Sequence, residues 1–140
     1  MTAAAPEGFD VYVVALFPEL VAPLFQHSIV GRAATQGLVR FHPVQIRDFA
    51  TNKHRTVDDT PYGGGSGMVM QCAPVVAALE SLPTGPDGGR PLRVLLTPQG
   101  RVFRQADARA LSQHRSLAVV CGRYEGFDER IRAHVDLELS

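Results

Sequence analysis

The most informative stretch of the chain is residues 116–126, SLAVVCGRYEG, in which an apolar run ends in a loop bracketed by glycines. The run 116–121 predicts a buried strand. The loop residues that follow it are Gly122, Arg123, Tyr124, Glu125 and Gly126. Together they offer close backbone approach, stacking area and directional polar groups, which suits the binding of a nucleoside. An alternative for Tyr124 taken alone is a position at the edge of the core.

Apolar runs and helical patterns alternate along the whole chain. The runs predict strands at residues 9–16, 38–46, 92–97 and 116–121. Helical spacing and helix-start signals predict a helix that begins at Pro18 and further helices at 28–36, 74–82, 104–114 and 128–133. This alternation is typical of an α/β fold, with a mainly parallel sheet, helices on both faces, and ligands beyond the carboxyl ends of the strands.

A second loop, residues 97–100 (TPQG), follows the third predicted strand. Its proline and glycine predict a tight turn with backbone donors and a rigid ring surface. Such a turn suits an adenine ring, and it suits an ordinary strand-to-helix connection equally well. The residues alone therefore leave its role open.

Residues 47–67 show no periodicity, and a structureless stretch of about twenty residues inside a compact domain is usually functional or mobile. The glycine-rich part, residues 62–68 (YGGGSGM), matches neither the phosphate loop GxxxxGK nor the dinucleotide fingerprint GxGxxG. Before it stand Arg55, suited to a phosphate, and Asp59, suited to accept hydrogen bonds from an exocyclic amino group. The alternative is a solvated turn with surface ion pairs.

The composition predicts one globular domain that spans residues 1–140. Apolar residues make up 45% and charged residues 20% of the chain. No apolar run reaches the roughly 20 residues of a membrane span, and no signal peptide is recognisable, so a cytoplasmic protein is expected. Cys72 and Cys121 lack metal-ligand spacing and are interpreted as core thiols. The balance of 14 basic and 14 acidic residues argues mildly against RNA binding.

Six segments, read together and in order, carry a resemblance to a known family. They are residues 16–19 (LFPE), 31–33 (GRA), 47–49 (RDF), 54–65 (HRTVDDTPYGGG), 98–101 (PQGR) and 121–126 (CGRYEG). Over nearly its whole length the chain resembles the bacterial tRNA (guanine-N1)-methyltransferases of the knotted SPOUT superfamily. The resemblance implies a trefoil-knot methyltransferase domain, an exception to the rule that chains do not thread themselves.

The resemblance also implies an activity, namely transfer of a methyl group from S-adenosylmethionine to N1 of guanine 37, the base 3′ of the anticodon in tRNA. The residues that match the family's cofactor site are Leu95, Leu96, Thr97, Pro98, Gly100, Gly122, Tyr124 and Gly126. The residues that match its tRNA and guanine site are Arg55, Asp59, Arg123 and Glu125. No metal-binding residues are expected, and a magnesium requirement is left open.

A homodimer whose active site draws on both chains is a further implication of the resemblance. In the family, the base that removes the N1 proton belongs to a segment that would follow Ser140, so no catalytic residue is expected within this chain. We therefore expect a truncated methyltransferase domain with an incomplete knot and no C-terminal tRNA-binding domain, inactive by itself. The alternative is a non-catalytic nucleotide-binding or RNA-binding module.

Overall fold

The structure, a computed structural model, describes residues 8–51, 58–59, 69–85, 88–122 and 126–140. Strand β1 (Phe9–Ala15) is followed by two 3-10 helices (Pro18–Leu20 and Ala22–Phe25), helix α1 (Ser28–Thr35), strand β2 (Val39–Gln45) and another 3-10 helix (Ile46–Phe49). The short strands β3 (Asp58–Asp59) and β4 (Val69–Met70) precede helix α2 (Cys72–Glu80). Then come β5 (Leu92–Arg101), α3 (Gln105–Leu111), β6 (Ser116–Cys121), β7 (Gly126–Phe127), a last 3-10 helix (Glu129–His134) and β8 (Leu137–Leu139).

A five-stranded sheet in the order β2, β1, β6, β5, β8 forms the centre of the fold, and each neighbouring pair is parallel. The four strands predicted from apolar runs are β1, β2, β5 and β6, so the mainly parallel sheet is confirmed. Strand β8 has only 3 residues, too few for its pattern to be recognised in the sequence. A second, smaller sheet joins β3, β4 and β7.

Both faces of the central sheet bury apolar side chains. Successive side chains of a strand point to opposite faces, so the two buried sets are distinct. On one face, Val14, Leu95 and Val120 pack in one cluster with side chains of α2. On the other face, Val13 and Val94 keep 4% and 2% of their surface exposed. Helix α2 packs on the first face. The right hand that crossovers between parallel strands follow puts α1 and α3 on the second. The prediction of helices on both faces is therefore confirmed.

The segment after β1 differs from its prediction. The sequence predicts a helix that begins at Pro18, whereas the structure has two 3-10 helices with Val21 between them. Pro23 explains this difference, because proline has no N–H to donate and its ring collides with the carbonyl four residues earlier in an α-helix. Helix α1 is closer to its prediction and ends before Gly37, whose φ of +75° is the left-handed conformation that stops helices.

Asp10 links β1 to the edge strand β2. Its Oδ1 accepts a hydrogen bond from Arg40 Nε at 2.7 Å and another from His42 Nε2 at 2.8 Å. The His42 ring also stacks on Tyr12, with ring centroids 4.6 Å apart. The hydrogen bond from Arg40 holds the pKa of Asp10 below its ordinary value, with help from His42 and against the opposing effect of burial. The folded state therefore favours the carboxylate.

We expect Asp10→Asn to lower the free energy of unfolding at neutral pH by about 0.5–1 kcal/mol, the range of partly exposed charge pairs. Because folding lowers the pKa of Asp10, its contribution is present above the unfolded-state pKa and is lost as the pH falls through the folded-state pKa. Denaturant unfolding at a series of pH values should therefore show the two proteins converging in acid. A difference that persists there would contradict the assignment.

Candidate functional site

The carboxyl ends of β1, β6 and β5 lie side by side, because these three strands are adjacent and parallel. Strands β1 and β6 end at Ala15 and Cys121, whereas β5 runs on to Arg101 but last pairs with β6 at Leu96. Open α/β sheets bind their ligands at this position. Gly122 and the segment 97–100, both singled out in the sequence, therefore lie at one edge.

A cavity of about 470 Å³ opens between the ends of β1 and β6. Its lining residues are Ala15, Leu16, Phe17, Leu20, Val21, Cys121 and Gly122. The walls are apolar, and Phe17 and Leu20 keep 40% and 74% of their surface exposed. Such a cavity suits the flat or aliphatic part of a ligand rather than an unpaired charge.

Cys121 is part of the cavity wall. Cys121 and Cys72 are both free and half-buried. Burial raises the pKa of both thiols above the ordinary value. Both are therefore neutral at physiological pH rather than activated nucleophiles. Cys72 packs against the core, as its interpretation from the sequence predicts, whereas Cys121 lines the cavity.

Gly122 lies against the ring of Phe127. A Cβ built on Gly122 would stand 2.5 Å from Cζ of Phe127, so any side chain at this position would displace the ring. Phe127 in turn packs against the hydrophobic core. The sequence predicts a glycine here for close approach of a cofactor. The structure adds a second requirement, which is the packing of the chain on itself.

The segment 97–100 is not the tight turn that its proline and glycine predict. Strand β5 continues through it, and both Leu96 and Arg101 stand opposite Leu139 of β8. The four residues between them have no register partner on β8, so they form an irregular bulge. The prediction is wrong because this shape depends on tertiary pairing with β8, which the local sequence does not encode.

Side chains in this part of β5 differ in what they offer to a ligand. Leu95 is 1% exposed and belongs to the core, so its side chain faces away from any ligand at the surface. Leu96 is 42% exposed, and Pro98 and Gln99 are exposed as well. Thr97 is buried, and its Oγ1 accepts a hydrogen bond from the backbone N–H of Gln99 at 3.3 Å. Leu96 and Pro98 are therefore the apolar side chains accessible here.

Gly100 lies directly against the backbone of β8. A Cβ built on it would stand 2.6 Å from the amide nitrogen of Leu139 and 2.7 Å from the carbonyl carbon of Glu138. Just beyond it, the backbone N–H of Ser140 donates to the carbonyl of Arg101 at 2.8 Å. The absence of a side chain at Gly100 is thus required by contact between the two strands.

The smaller sheet connects two loops to which the sequence assigns ligand contacts. β3 and β4 are antiparallel, with Asp59 opposite Val69, and β4 and β7 are parallel, with Val69 opposite Gly126. Asp59 and Gly126 therefore flank the same residue, with their backbones roughly 10 Å apart at ordinary strand spacing. Two segments that are distant in the sequence are adjacent in the fold.

The remaining predicted residues, Arg55, Arg123, Tyr124 and Glu125, lie outside the part of the chain that the structure describes. For Asp59 and Gly126, the structure describes the pairing of the backbone. Within the described ranges, no three His, Cys, Asp or Glu side chains are grouped so that they could hold a metal ion.

Three residues that support this edge were not singled out as site residues from the sequence. Leu20 and Val21 line the cavity, and in the sequence they were marked only as apolar residues at helical spacing after Pro18. Phe127 had no signal, because its contact with Gly122 arises only when the chain has folded.

Comparison with known proteins assigns this arrangement to a family. A family model described as tRNA (Guanine-1)-methyltransferase TrmD matches residues 9–140. The tRNA (guanine-N(1)-)-methyltransferase of Desulforudis audaxviator (strain MP104C) is 53% identical over 128 residues, which are 91% of this chain and 51% of that protein. That of Bartonella bacilliformis is 50% identical over 123 residues, which are 88% of this chain and 51% of that protein.

The fold is also similar to that of a solved tRNA methyltransferase. The crystal structure of tRNA (m1G37) methyltransferase from Aquifex aeolicus superposes with a TM-score of 0.83 at 32% sequence identity, covering 95% of this chain and 59% of that one. The chain spans about half the length of the curated relatives it matches. Because the family model covers all but the first eight residues, and the fold agrees, the chain belongs to the tRNA (guanine-1)-methyltransferase TrmD family.

Proposed function

We propose that the chain is the cofactor-binding part of an enzyme that transfers a methyl group from S-adenosylmethionine to N1 of guanine 37 in tRNA. The observation that carries this proposal is the smaller sheet, in which Asp59 and Gly126 flank Val69. It joins the segment proposed to bind guanine to the loop proposed to bind the cofactor. The family of the chain supports the same reaction.

The edge of the sheet fits S-adenosylmethionine. The apolar cavity beside Gly122 and the exposed side chains of Leu96 and Pro98 offer surface to its adenine ring and aliphatic chain. The residues proposed to hold the cofactor are Leu95, Leu96, Thr97, Pro98, Gly100, Gly122, Tyr124 and Gly126. Leu95 takes part through its backbone, because its side chain is in the core. The bound cofactor supplies an electrophilic methyl group.

The substrate side of the proposal assigns guanine and phosphate to different residues. Asp59 and Glu125 are proposed to contact guanine 37 through the hydrogen-bond donors of the base, and Arg55 and Arg123 to contact the tRNA around it. N1 of neutral guanine becomes a good nucleophile only when its proton is removed, so positioning and deprotonation are the tasks of the protein. We propose no residue of this chain as the base.

The proposed enzyme is a cytoplasmic homodimer with a SPOUT-type knot, and its active site is shared between two chains. Exposed apolar side chains support an interface on the segment after β1: Leu20, Leu24 and Ile29 keep 74%, 65% and 78% of their surface exposed.

Among the residues that the structure describes, no helix has the length and apolar character needed to cross a membrane.

The experiment compares this chain with a version extended through the C-terminal half that the relatives have. Both are incubated with labelled S-adenosylmethionine and with tRNA transcripts that carry guanine or adenine at position 37. We expect the extended protein to methylate N1 of guanine 37 only, and the isolated chain to be inactive. Turnover by the isolated chain would contradict its proposed inactivity. RNA binding without methylation by the extended protein would instead favour a non-catalytic RNA-binding module.

A further inference from the structure

Arg132, on the last 3-10 helix, contacts three residues through one guanidinium group. Its Nε lies 3.0 Å from Oε1 of Glu138 on β8, and its Nη1 lies 2.9 Å from Oε2 of Glu129. Its Nη2 donates a hydrogen bond to Oε1 of Gln99 in the bulge of β5. The Arg132 side chain is 37% exposed, so it forms a bridge at the surface rather than a buried ion pair.

Two carboxylates hold this guanidinium group in place. Glu138 is partly buried, with 32% of its side chain exposed, whereas Glu129 is 73% exposed and contributes less. A planar guanidinium group held at both Nε and Nη1 loses much of its freedom to turn. The third nitrogen of Arg132, Nη2, is thereby directed at Gln99.

Gln99 lies in the part of β5 that has no register partner on β8. Its own N–H donates to Thr97, which shapes the start of the bulge. At the end of the bulge, Gly100 rests on the backbone of β8. The bond from Arg132 joins the exposed middle of the bulge to the helix and strand beside it.

We infer that Arg132 is a positioning residue that holds the segment 97–100 in the shape that binds S-adenosylmethionine. This inference rests on the proposed function, which assigns the segment to the cofactor. Arg132 acts through Gln99 rather than by contact with the cofactor.

The first test needs no cofactor. Amide hydrogen exchange of a peptide covering residues 96–103 should be about fivefold faster in Arg132→Ala than in the unchanged protein, because the bulge opens more often. Arg109, an exposed arginine in the last turn of α3, supplies the matched control. Arg109→Ala should leave the exchange of this peptide unchanged. Unchanged exchange in Arg132→Ala would overturn the inference.

The second test measures cofactor affinity by calorimetry in the extended protein. Arg132→Ala and Gln99→Ala should each raise the Kd for S-adenosylmethionine about fivefold, and the double variant should be no worse than either, because both remove one contact. Arg132→Lys should recover part of the loss. In the methylation assay, the KM for S-adenosylmethionine should rise while kcat at saturation stays the same.

The outcomes separate the inference from the proposed function. If the unchanged protein does not bind S-adenosylmethionine, the proposed function fails. If it binds and Arg132→Ala binds equally well, only the role of Arg132 fails. Additive losses in the double variant would also overturn that role, since they would show that the two side chains act independently.

Discussion

Gly100→Val is expected to lower the free energy of unfolding by about 2–3 kcal/mol, the usual cost of forcing additional atoms into a packed contact. The new Cβ would stand 2.6 Å from the amide nitrogen of Leu139. A backbone atom cannot rotate away as the end of a side chain can, so β8 itself would have to move. That movement would also strain the hydrogen bond between Ser140 and Arg101. Denaturant unfolding of both proteins measures the difference.

The matched control is Gly88→Asn. Gly88 has a φ of +80°, and a Cβ built on it would meet none of the described residues within 4 Å. Asparagine tolerates this left-handed conformation better than other side chains do, so we expect a loss of no more than about 1 kcal/mol. Equal losses at Gly88 and Gly100 would show that the contact with β8 is not the cause.

Gly122→Val is expected to weaken the binding of S-adenosylmethionine by at least about tenfold, which corresponds to roughly 1.4 kcal/mol. Its Cβ would collide with the ring of Phe127, at 2.5 Å from Cζ and 2.8 Å from Cε2. The ring packs against the core, which limits its freedom to move out of the way of the new side chain. Calorimetric titration of the extended protein measures the change in Kd.

A second substitution identifies the cause of that loss. Phe127→Ala in the Gly122→Val background removes the ring that the introduced valine displaces, so the double variant should recover part of the lost affinity. If the double variant binds no better than Gly122→Val, the valine obstructs the cofactor directly, as the sequence alone predicts. The Phe127→Ala single variant measures the loss that comes from removing the ring alone.

Local patterns were sufficient for the main elements of the fold. Strand Ser116–Cys121 has the bounds that its apolar run predicts, and α1 stops before the glycine that adopts a positive φ. Pairing between distant segments was not predictable in the same way. Strand β8 has only 3 residues, and its contact with Gly100 lengthens β5 and turns the segment 97–100 into a bulge.

In the candidate site, too, the features that depend on local sequence were predictable, and the contacts between distant residues were not. The sequence singled out the segments that follow Leu96 and Cys121, and the structure has the start of each, Thr97 and Gly122, at one edge of the sheet. It did not indicate that the side chain of Leu95 is in the core, or that Phe127 fills the space beside Gly122. Nor did it indicate the bridge from Arg132 to Gln99. Each of these contacts joins residues from different elements, and periodicity along one element carries no information about them.

The measurement that tests the central claim most directly is calorimetric titration with S-adenosylmethionine and with its demethylated product. It is made on this chain and on the version extended through the C-terminal half of the relatives. We expect the extended protein to bind both compounds and the isolated chain to bind them weakly. Absence of binding by both proteins would contradict a cofactor site at the ends of β5 and β6, and would favour an RNA-binding module.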